Sequence, residues 1–228
     1  MNPKNPAPEN ASPADRRVLL VDDHPFLLMG LARALAKEPG LSVCGTAGSA
    51  EEALTAVGKL EPDLVLTDLN LPGKSGVELI KDLANLRPGL PVIALSMHEE
   101  EVYAERCIRA GARGYVMKSD GPEIMAAAIR HVFAGGIHVS GKTAARILAV
   151  FAGQRAGAGR SALGQLTDRE LELFQWIGRG LSTQEIAGRL HISAKTVETH
   201  RMHIKEKLGL GTAAELIAYA ARWTAAGS

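Results

Sequence analysis

The chain has 228 residues, enough for one or two domains that each bury a core. Apolar residues make up 46% of it, but no apolar run reaches the roughly 18–20 residues that span a bilayer, which excludes a membrane-spanning protein. The first 15 residues lack the apolar core of a secretory signal, so we expect a cytoplasmic protein with no membrane partner.

The formal net charge is only +1, but the charges are distributed unevenly. Residues 17–137 carry 12 basic and 16 acidic side chains, whereas residues 138–162 carry four basic and no acidic side chains. An acidic first half and a more basic second half indicate that the two parts of the chain bind different partners.

The first half alternates short apolar runs with helical patterns, five times over. The predicted strands are 18–21, 42–46, 64–67, 92–95 and 114–117. The predicted helices are 25–37, 50–60, 76–86, 100–110 and 122–133. Because strands that alternate with helices form parallel sheets covered on both faces, we predict an α/β domain with a flavodoxin-like, doubly wound, five-stranded parallel sheet.

Gly135 and Gly136 interrupt this pattern. A short helix is predicted for residues 142–151, and the Gly-rich residues 153–159 that follow have the composition of a flexible linker. We therefore divide the chain into a disordered tail (1–16), an α/β domain (17–137), a short helix and linker (138–162) and a C-terminal domain (163–228).

The C-terminal domain is predicted to be all α, with four helices. Capping boxes of the form S/T-x-x-E begin at Thr167, Ser182 and Thr212, and Ser193 can cap a fourth helix. Gly180 and Gly209 stand where helices should end. Four short helices in about 60 residues, with a tight turn before the third, are typical of a helix-turn-helix module.

Polar side chains follow the predicted strands of the first domain. Asp22 and Asp23 follow the first strand, Asp68 the third, Ser96 the fourth and Lys118 the fifth. Because ligands bind beyond the carboxyl ends of the strands in a doubly wound sheet, these groups should meet at one edge. Three clustered carboxylates repel one another unless a cation binds between them, and Mg²⁺ is suited to such oxygen ligands. A carboxylate can also act as a nucleophile towards phosphorus.

This set of residues resembles the receiver domain of two-component response regulators, over about residues 17–133. The resemblance implies that Asp68 accepts a phosphoryl group from a sensor histidine kinase. It implies that Asp23, Asp68 and the backbone carbonyl of Asn70 bind Mg²⁺, with Asp22 helping through water. It also implies that Lys118 contacts the phosphoryl group, that Ser96 moves to bond it, and that Tyr115 swings inwards as Ser96 moves.

The third helix of the C-terminal domain has a polar, net basic face opposite its apolar one, as a helix that reads the major groove requires. Leu166-Thr167-x-Arg169-Glu170, Glu185-Ile186-Ala187, Thr196-Val197-x-x-His200 and Lys207-Leu208-Gly209 resemble the LuxR-type helix-turn-helix. Together the two domains resemble the NarL/FixJ family of response regulators.

That resemblance implies contacts with double-stranded promoter DNA. The base-edge contacts would come from Glu198, Thr199 and Met202. The phosphate contacts would come from Lys195, Thr196, Arg201 and Lys205. It also implies that the protein forms a homodimer through its last helix, about residues 213–223, when phosphorylated, with RNA polymerase as a further candidate partner.

Two other patterns invite a different function. Residues 136–143 match the P-loop pattern G-x-x-x-x-G-K-[ST], but a helix precedes them where a working P-loop needs a strand, so we expect no nucleotide site there. His200 and His203 have the i, i+3 spacing of metal ligands, but no further ligand is evident and we expect no metal.

Two alternatives to a phosphorylation-controlled regulator follow from the same residues. An aspartyl-phosphate phosphatase or transferase would need an acid/base residue two positions after its nucleophile, where Asn70 stands. A DNA-binding regulator could instead use its first domain for docking alone, without phosphate. We expect no enzyme activity beyond Mg²⁺-dependent self-phosphorylation from a phosphodonor.

Overall fold

The computed structural model describes residues 15–97, 100–151 and 162–226. The predicted tail up to residue 14 and the linker residues 152–161 lie outside the described residues. No helix in the part of the chain that the structure describes is both long and apolar enough to cross a membrane.

Five parallel strands form one sheet in the order β2-β1-β3-β4-β5. The strands are β1 (Arg16–Val21), β2 (Leu41–Ala47), β3 (Leu64–Asp68), β4 (Val92–Ser96) and β5 (Gly114–Met117). The helices between and after them are α1 (Pro25–Leu35), α2 (Ala50–Leu60), α3 (Gly76–Leu86), α4 (Glu100–Ala110) and α5 (Pro122–Phe133). The predicted fold class is confirmed, and the strands differ from the predicted ones by at most two residues at either end.

The sheet is buried on both faces because successive side chains of a strand point to opposite sides. Leu20 and Leu66 belong to a core that also includes residues of α1 and α5. Leu19 and Val65 belong to the opposite core, with residues of α2, α3 and α4. Every residue of β3 and β4 is buried, which explains why both strands are apolar runs that become polar only at their carboxyl ends, at Thr67 and Asp68 in β3 and at Ser96 in β4.

The segment after α5 is bound to the edge of the sheet. His138 forms a parallel bridge with Gly114, and its carbonyl accepts a hydrogen bond from the backbone N–H of Tyr115 at 2.9 Å. Ser140 then caps α6 (Gly141–Phe151) by accepting from the backbone N–H of Thr143. Helix α5 precedes Gly136 where a working P-loop needs a strand, as the sequence predicts for the P-loop pattern at residues 136–143.

Four helices follow a short 3₁₀ turn (Ala162–Gln165). They are α7 (Asp168–Gly178), α8 (Thr183–Leu190), α9 (Ala194–Leu208) and α10 (Ala213–Ala226). The side chain of Phe174 is fully buried and packs edge-on against the ring of Tyr219 and at a tilt against the ring of Trp223, both on α10. The capping boxes at Thr167 and Ser182 are complete, so these two helices begin where their sequences predict.

Candidate functional site

Three carboxylates and an ammonium group meet at the carboxyl edge of the sheet. Asp22 follows β1, Asp68 ends β3, and both are almost fully buried. The Nζ atom of Lys118, just after β5, lies 2.6 Å from Asp22 Oδ2 and 2.8 Å from Asp68 Oδ2. Asp68 Oδ1 accepts a hydrogen bond from the backbone N–H of Leu69 at 2.8 Å. The sequence predicted this convergence from strand ends alone.

The charge on Asp68 is only partly compensated. Burial raises the pKa of Asp68 to about 6, Lys118 opposes this increase, and Asp22 adds to it. Burial lowers the pKa of Lys118, but Asp68 and Asp22 more than offset this, so its pKa is raised. The pocket therefore contains more buried negative charge than one lysine neutralises, which favours binding of an additional cation.

The donor set fits a hard divalent cation. Asp22, Asp23, His24 and Asp68 each offer one ligand atom, and these atoms all lie within 4.8 Å of one another. Lys118 contacts Asp22 Oδ2 and Asp68 Oδ2 and His24 contacts Asp23 Oδ1, so the three carboxylates share one ammonium group and one imidazole. Carboxylate oxygens in such a cluster suit Mg²⁺. Asn70 follows two residues after Asp68 and donates a backbone hydrogen bond to it.

His24 is a pocket residue that the sequence analysis missed. Its Nδ1 atom lies 3.0 Å from Asp22 Oδ1 and 2.6 Å from Asp23 Oδ1. Its backbone N–H donates to Asp22 Oδ1 as well. Its position directly after the two aspartates was the only signal in the sequence. His24 covers the exposed side of this carboxylate pair.

Ser96 and Tyr115 lie together behind the pocket. Ser96 ends β4 and is fully buried, and the Tyr115 side chain on β5 is also buried. The two side chains are hydrogen-bonded, although burial dominates and raises the pKa of the Tyr115 hydroxyl. The carbonyl of Ser96 accepts from the backbone N–H of Lys118 at 2.7 Å. Tyr115 is thus buried beside Ser96, and its movement on phosphorylation stays a prediction.

A close backbone approach holds the pocket against α3. A Cβ atom added at Gly76, the first residue of α3, would lie 2.0 Å from the carbonyl oxygen of Asp68. The backbone N–H of Gly76 donates to the carbonyl of Leu69 at 2.8 Å. The sequence analysis did not single out this glycine, because nothing local distinguishes it from other helix-terminal glycines.

Helix α9 presents most of its predicted DNA-contacting face. The exposed members of that set are Lys195, Thr196, Glu198, Thr199 and Met202. Two others are less accessible than the sequence predicts. Lys205 is half-buried, and the side chain of Arg201 is only 13% exposed.

The two histidines of α9 have a third neighbour that the sequence analysis missed. Glu170 of α7 offers a ligand atom within 4.8 Å of those of His200 and His203. Lys207 Nζ, however, lies 2.6 Å from Glu170 Oε2, and that carboxylate also completes the capping box of α7. The buried glutamate is thus already part of a structural ion pair.

The two domains are in contact through α7. Arg106 on α4 donates to the carbonyl oxygens of Leu163 and Leu166, both at 2.8 Å. Its Nη1 atom also lies 3.1 Å from Asp168 Oδ1, and Lys81 on α3 donates to the other oxygen of Asp168 at 3.0 Å. Arg106 therefore binds the beginning of the C-terminal domain to α4.

Buried polar side chains lie in the same interface. The hydroxyl of Tyr103 donates to Gln175 Oε1 at 3.2 Å, and both residues are buried. Glu172 is buried too, with its Oε2 atom 2.7 Å from Arg169 Nη1. Burial raises the pKa of Glu172 to about 7 against the effect of Arg169, and the charge on Asp68 raises it further. Burial is the largest cause of this shift, and the carboxylates of the other domain contribute less.

Comparison with known proteins matches both domains. Residues 18–130 match the response regulator receiver domain, and residues 164–220 match the bacterial regulatory proteins of the luxR family. Response regulator GacA of Pseudomonas viridiflava is 38% identical over 207 residues, which cover 90% of this chain and 95% of GacA. Oxygen regulatory protein NreC of Staphylococcus carnosus is 32% identical, with 90% and 96% of the two chains covered.

A solved structure shares the fold over nearly the whole chain. It is RcsB from Salmonella enterica serovar Typhimurium bound to the promoter P1flhDC, with a TM-score of 0.61 and 24% identity. The match covers 90% of this chain and 98% of RcsB. Each of these three matches therefore spans both domains of this chain.

Proposed function

We propose that Asp68 is the residue on which this chain, a two-component response regulator of the NarL/FixJ family that acts on transcription through its LuxR-type domain, is phosphorylated. Proteins of this family are DNA-binding transcription regulators and not enzymes, which sets aside the phosphatase or transferase alternative. The observation that carries the proposal is the position of Asp68, buried at a strand end between Lys118 and Asp22.

The phosphodonor is a phosphohistidine of a sensor histidine kinase. A carboxylate oxygen of Asp68 attacks phosphorus, a P–O bond forms as the P–N bond breaks, and the histidine leaves after taking up a proton. Asp22, Asp23, Asp68 and the backbone carbonyl of Asn70 would hold Mg²⁺, which supplies charge neutralisation for the carboxylates and the phosphoryl oxygens. Lys118 adds a second positive charge at the same oxygens.

Phosphorylation reaches the C-terminal domain by two routes. Ser96 moves to bond the phosphoryl group and draws its hydrogen-bonded partner Tyr115 further inwards, which repacks the surface of α4 that carries Tyr103 and Arg106. A phosphoryl group also carries about 1.5 to 2 negative charges at pH 7 and would repel Glu172 across the interface. Both effects weaken the contact between α4 and α7.

The released domain binds promoter DNA as a homodimer. Base contacts from Glu198, Thr199 and Met202 and phosphate contacts from Lys195, Thr196 and Lys205 account for the exposed face of α9. The exposed outer face of α10 offers Ile217 and several alanines to a second copy. Because its partner is promoter DNA, we expect the protein in the cytoplasm, with RNA polymerase as a further partner.

Intact mass after incubation with Mg²⁺ and acetyl phosphate tests the phosphorylation site. We expect the wild type to gain one phosphoryl group, Asp68→Asn to gain none, and EDTA to abolish the gain. The control is Asp82→Asn, which removes a carboxylate on α3 that pairs with Lys74 away from the pocket. Stoichiometric phosphate on Asp68→Asn would refute the site.

The same samples then test the coupling to DNA. We expect the phosphorylated wild type to bind promoter DNA more tightly than Asp68→Asn does. Equal affinity of both proteins, with the mass gain intact, would instead support a first domain that acts through docking alone.

A further inference from the structure

Three side chains connect the two helices of the helix-turn-helix. Thr183 is the first residue of α8, and Glu198 and Arg201 lie on α9. The hydroxyl of Thr183 donates to Glu198 Oε1 at 2.7 Å and accepts from Arg201 Nη1 at 3.4 Å. Arg201 Nε lies 3.9 Å from the same oxygen of Glu198. Each member of this triad therefore contacts the other two.

The triad has a buried side and an exposed side. Glu198 and Arg201 are i, i+3 neighbours on α9 and so share one helix face. The Arg201 side chain is 13% exposed, whereas that of Glu198 is 60% exposed. The guanidinium group thus lies beneath the carboxylate, and the carboxylate faces outwards among the exposed residues of α9.

A carboxylate on a DNA-facing helix is unfavourable unless its charge is compensated. The phosphates of DNA repel it, and the nearby Arg201 reduces that repulsion. Thr183 occupies Oε1, and among the residues that the structure describes no group donates a hydrogen bond to Oε2. The oxygen that remains can accept a hydrogen bond from outside the protein.

We propose that Glu198 reads a cytosine in the major groove, and that Thr183 and Arg201 are positioning residues that hold its carboxylate for this contact. The exocyclic N4 amine of cytosine is the donor with which a glutamate pairs in that groove. This inference rests on the proposed DNA-binding face of α9. In this inference Arg201 positions the carboxylate of Glu198 and does not contact a phosphate.

The experiment is selection of binding sites from a randomised double-stranded DNA library by the full-length protein, phosphorylated with acetyl phosphate. We expect the wild type to select cytosine at one position of each half-site. Glu198→Gln is expected to lose about tenfold in preference for cytosine over the other bases at that position. Thr183→Val should lose part of the same preference, and Thr183→Ser, which restores a hydroxyl, should regain it.

Salt dependence separates positioning from phosphate contact. Lys195→Ala removes an exposed lysine of α9, so it should weaken binding to all selected sequences and reduce the salt slope by about one. Arg201→Gln should reduce the cytosine preference but leave the salt slope unchanged. A change of base preference at one position is a result that a merely structural role of Thr183 or Arg201 would not produce.

Three results would overturn the inference. The first is selection of a base other than cytosine at the position that Glu198 contacts. The second is an unchanged preference for cytosine in Thr183→Val. The third is a salt dependence of DNA binding that falls as much in Arg201→Gln as in Lys195→Ala. Failure of the proposed function looks different, because the wild type would then enrich no sequence at all.

Discussion

Replacing Glu172 with glutamine is expected to change how the stability of the C-terminal domain depends on pH. Glu172 has a pKa of about 7 in the folded protein, against an ordinary value of 4.5, because it is buried in the interface of α7 with the other domain. Between these two values the folded protein keeps a proton that the unfolded chain releases. Its stability therefore falls as the pH rises from about 4.5 to about 7, and this contribution is constant above that.

The size of the effect follows from the two pKa values. Each pKa unit corresponds to about 1.4 kcal/mol, so ionised Glu172 costs the folded state about 3 kcal/mol at high pH. Between pH 5 and pH 8 the cost increases by about 2–3 kcal/mol. Glutamine has a similar shape and does not ionise, so Glu172→Gln should gain about this much stability relative to the wild type over the same interval.

Urea denaturation followed by tryptophan fluorescence measures this difference. Both tryptophans of the chain, Trp176 and Trp223, lie in the C-terminal domain, so the signal reports on that domain alone. The difference between variant and wild type at pH 8, minus that at pH 5, cancels the other titrating groups. Glu206→Gln, which removes an exposed carboxylate of α9, is the matched control.

One result would refute the reasoning. If the free-energy difference between Glu172→Gln and the wild type is the same at both pH values, Glu172 ionises in the folded protein as freely as in the unfolded chain. Such a carboxyl group would be solvated, and α7 would not be docked on the other domain in solution.

Two further predictions concern the domain interface and the pocket. Arg106→Ala removes the side chain that bonds α4 to the beginning of the C-terminal domain, so small-angle X-ray scattering should give a larger radius of gyration. The control Arg109→Ala removes only an ion pair with Glu105 on the surface of α4 and should leave the radius unchanged. Gly76→Ala forces a methyl group onto the carbonyl oxygen of Asp68 and should cost about 1–3 kcal/mol in urea denaturation followed by circular dichroism, with slower uptake of phosphate. The control Gly58→Ala, on an open helix surface, should instead stabilise the protein by up to about 1 kcal/mol, and equal effects of the two substitutions would contradict the close approach at Gly76.

The local pattern of the sequence predicted the elements and the carboxylates and lysine of the pocket, but not His24. Apolar runs and helical periods predicted every strand and helix of the sheet domain. The reason is that each element turns its apolar residues towards the core, and so repeats them with the period of a strand or of a helix. The cap at Thr167 and the glycine at Gly209 marked helix ends through hydrogen bonds that span only a few residues. Asp68 and Lys118 could be brought together from the sequence because all parallel strands end at the same edge of a sheet.

Contacts between distant segments could be seen only in the tertiary structure. The bond from Tyr103 to Gln175 joins residues 72 positions apart, and no period or motif relates them. The same holds for Arg201, whose side chain is only 13% exposed and donates to Thr183 of the neighbouring helix. Sequence alone therefore predicted which residues carry the chemistry, whereas the packing of one element on another decided which of these side chains are buried and which are exposed to a partner.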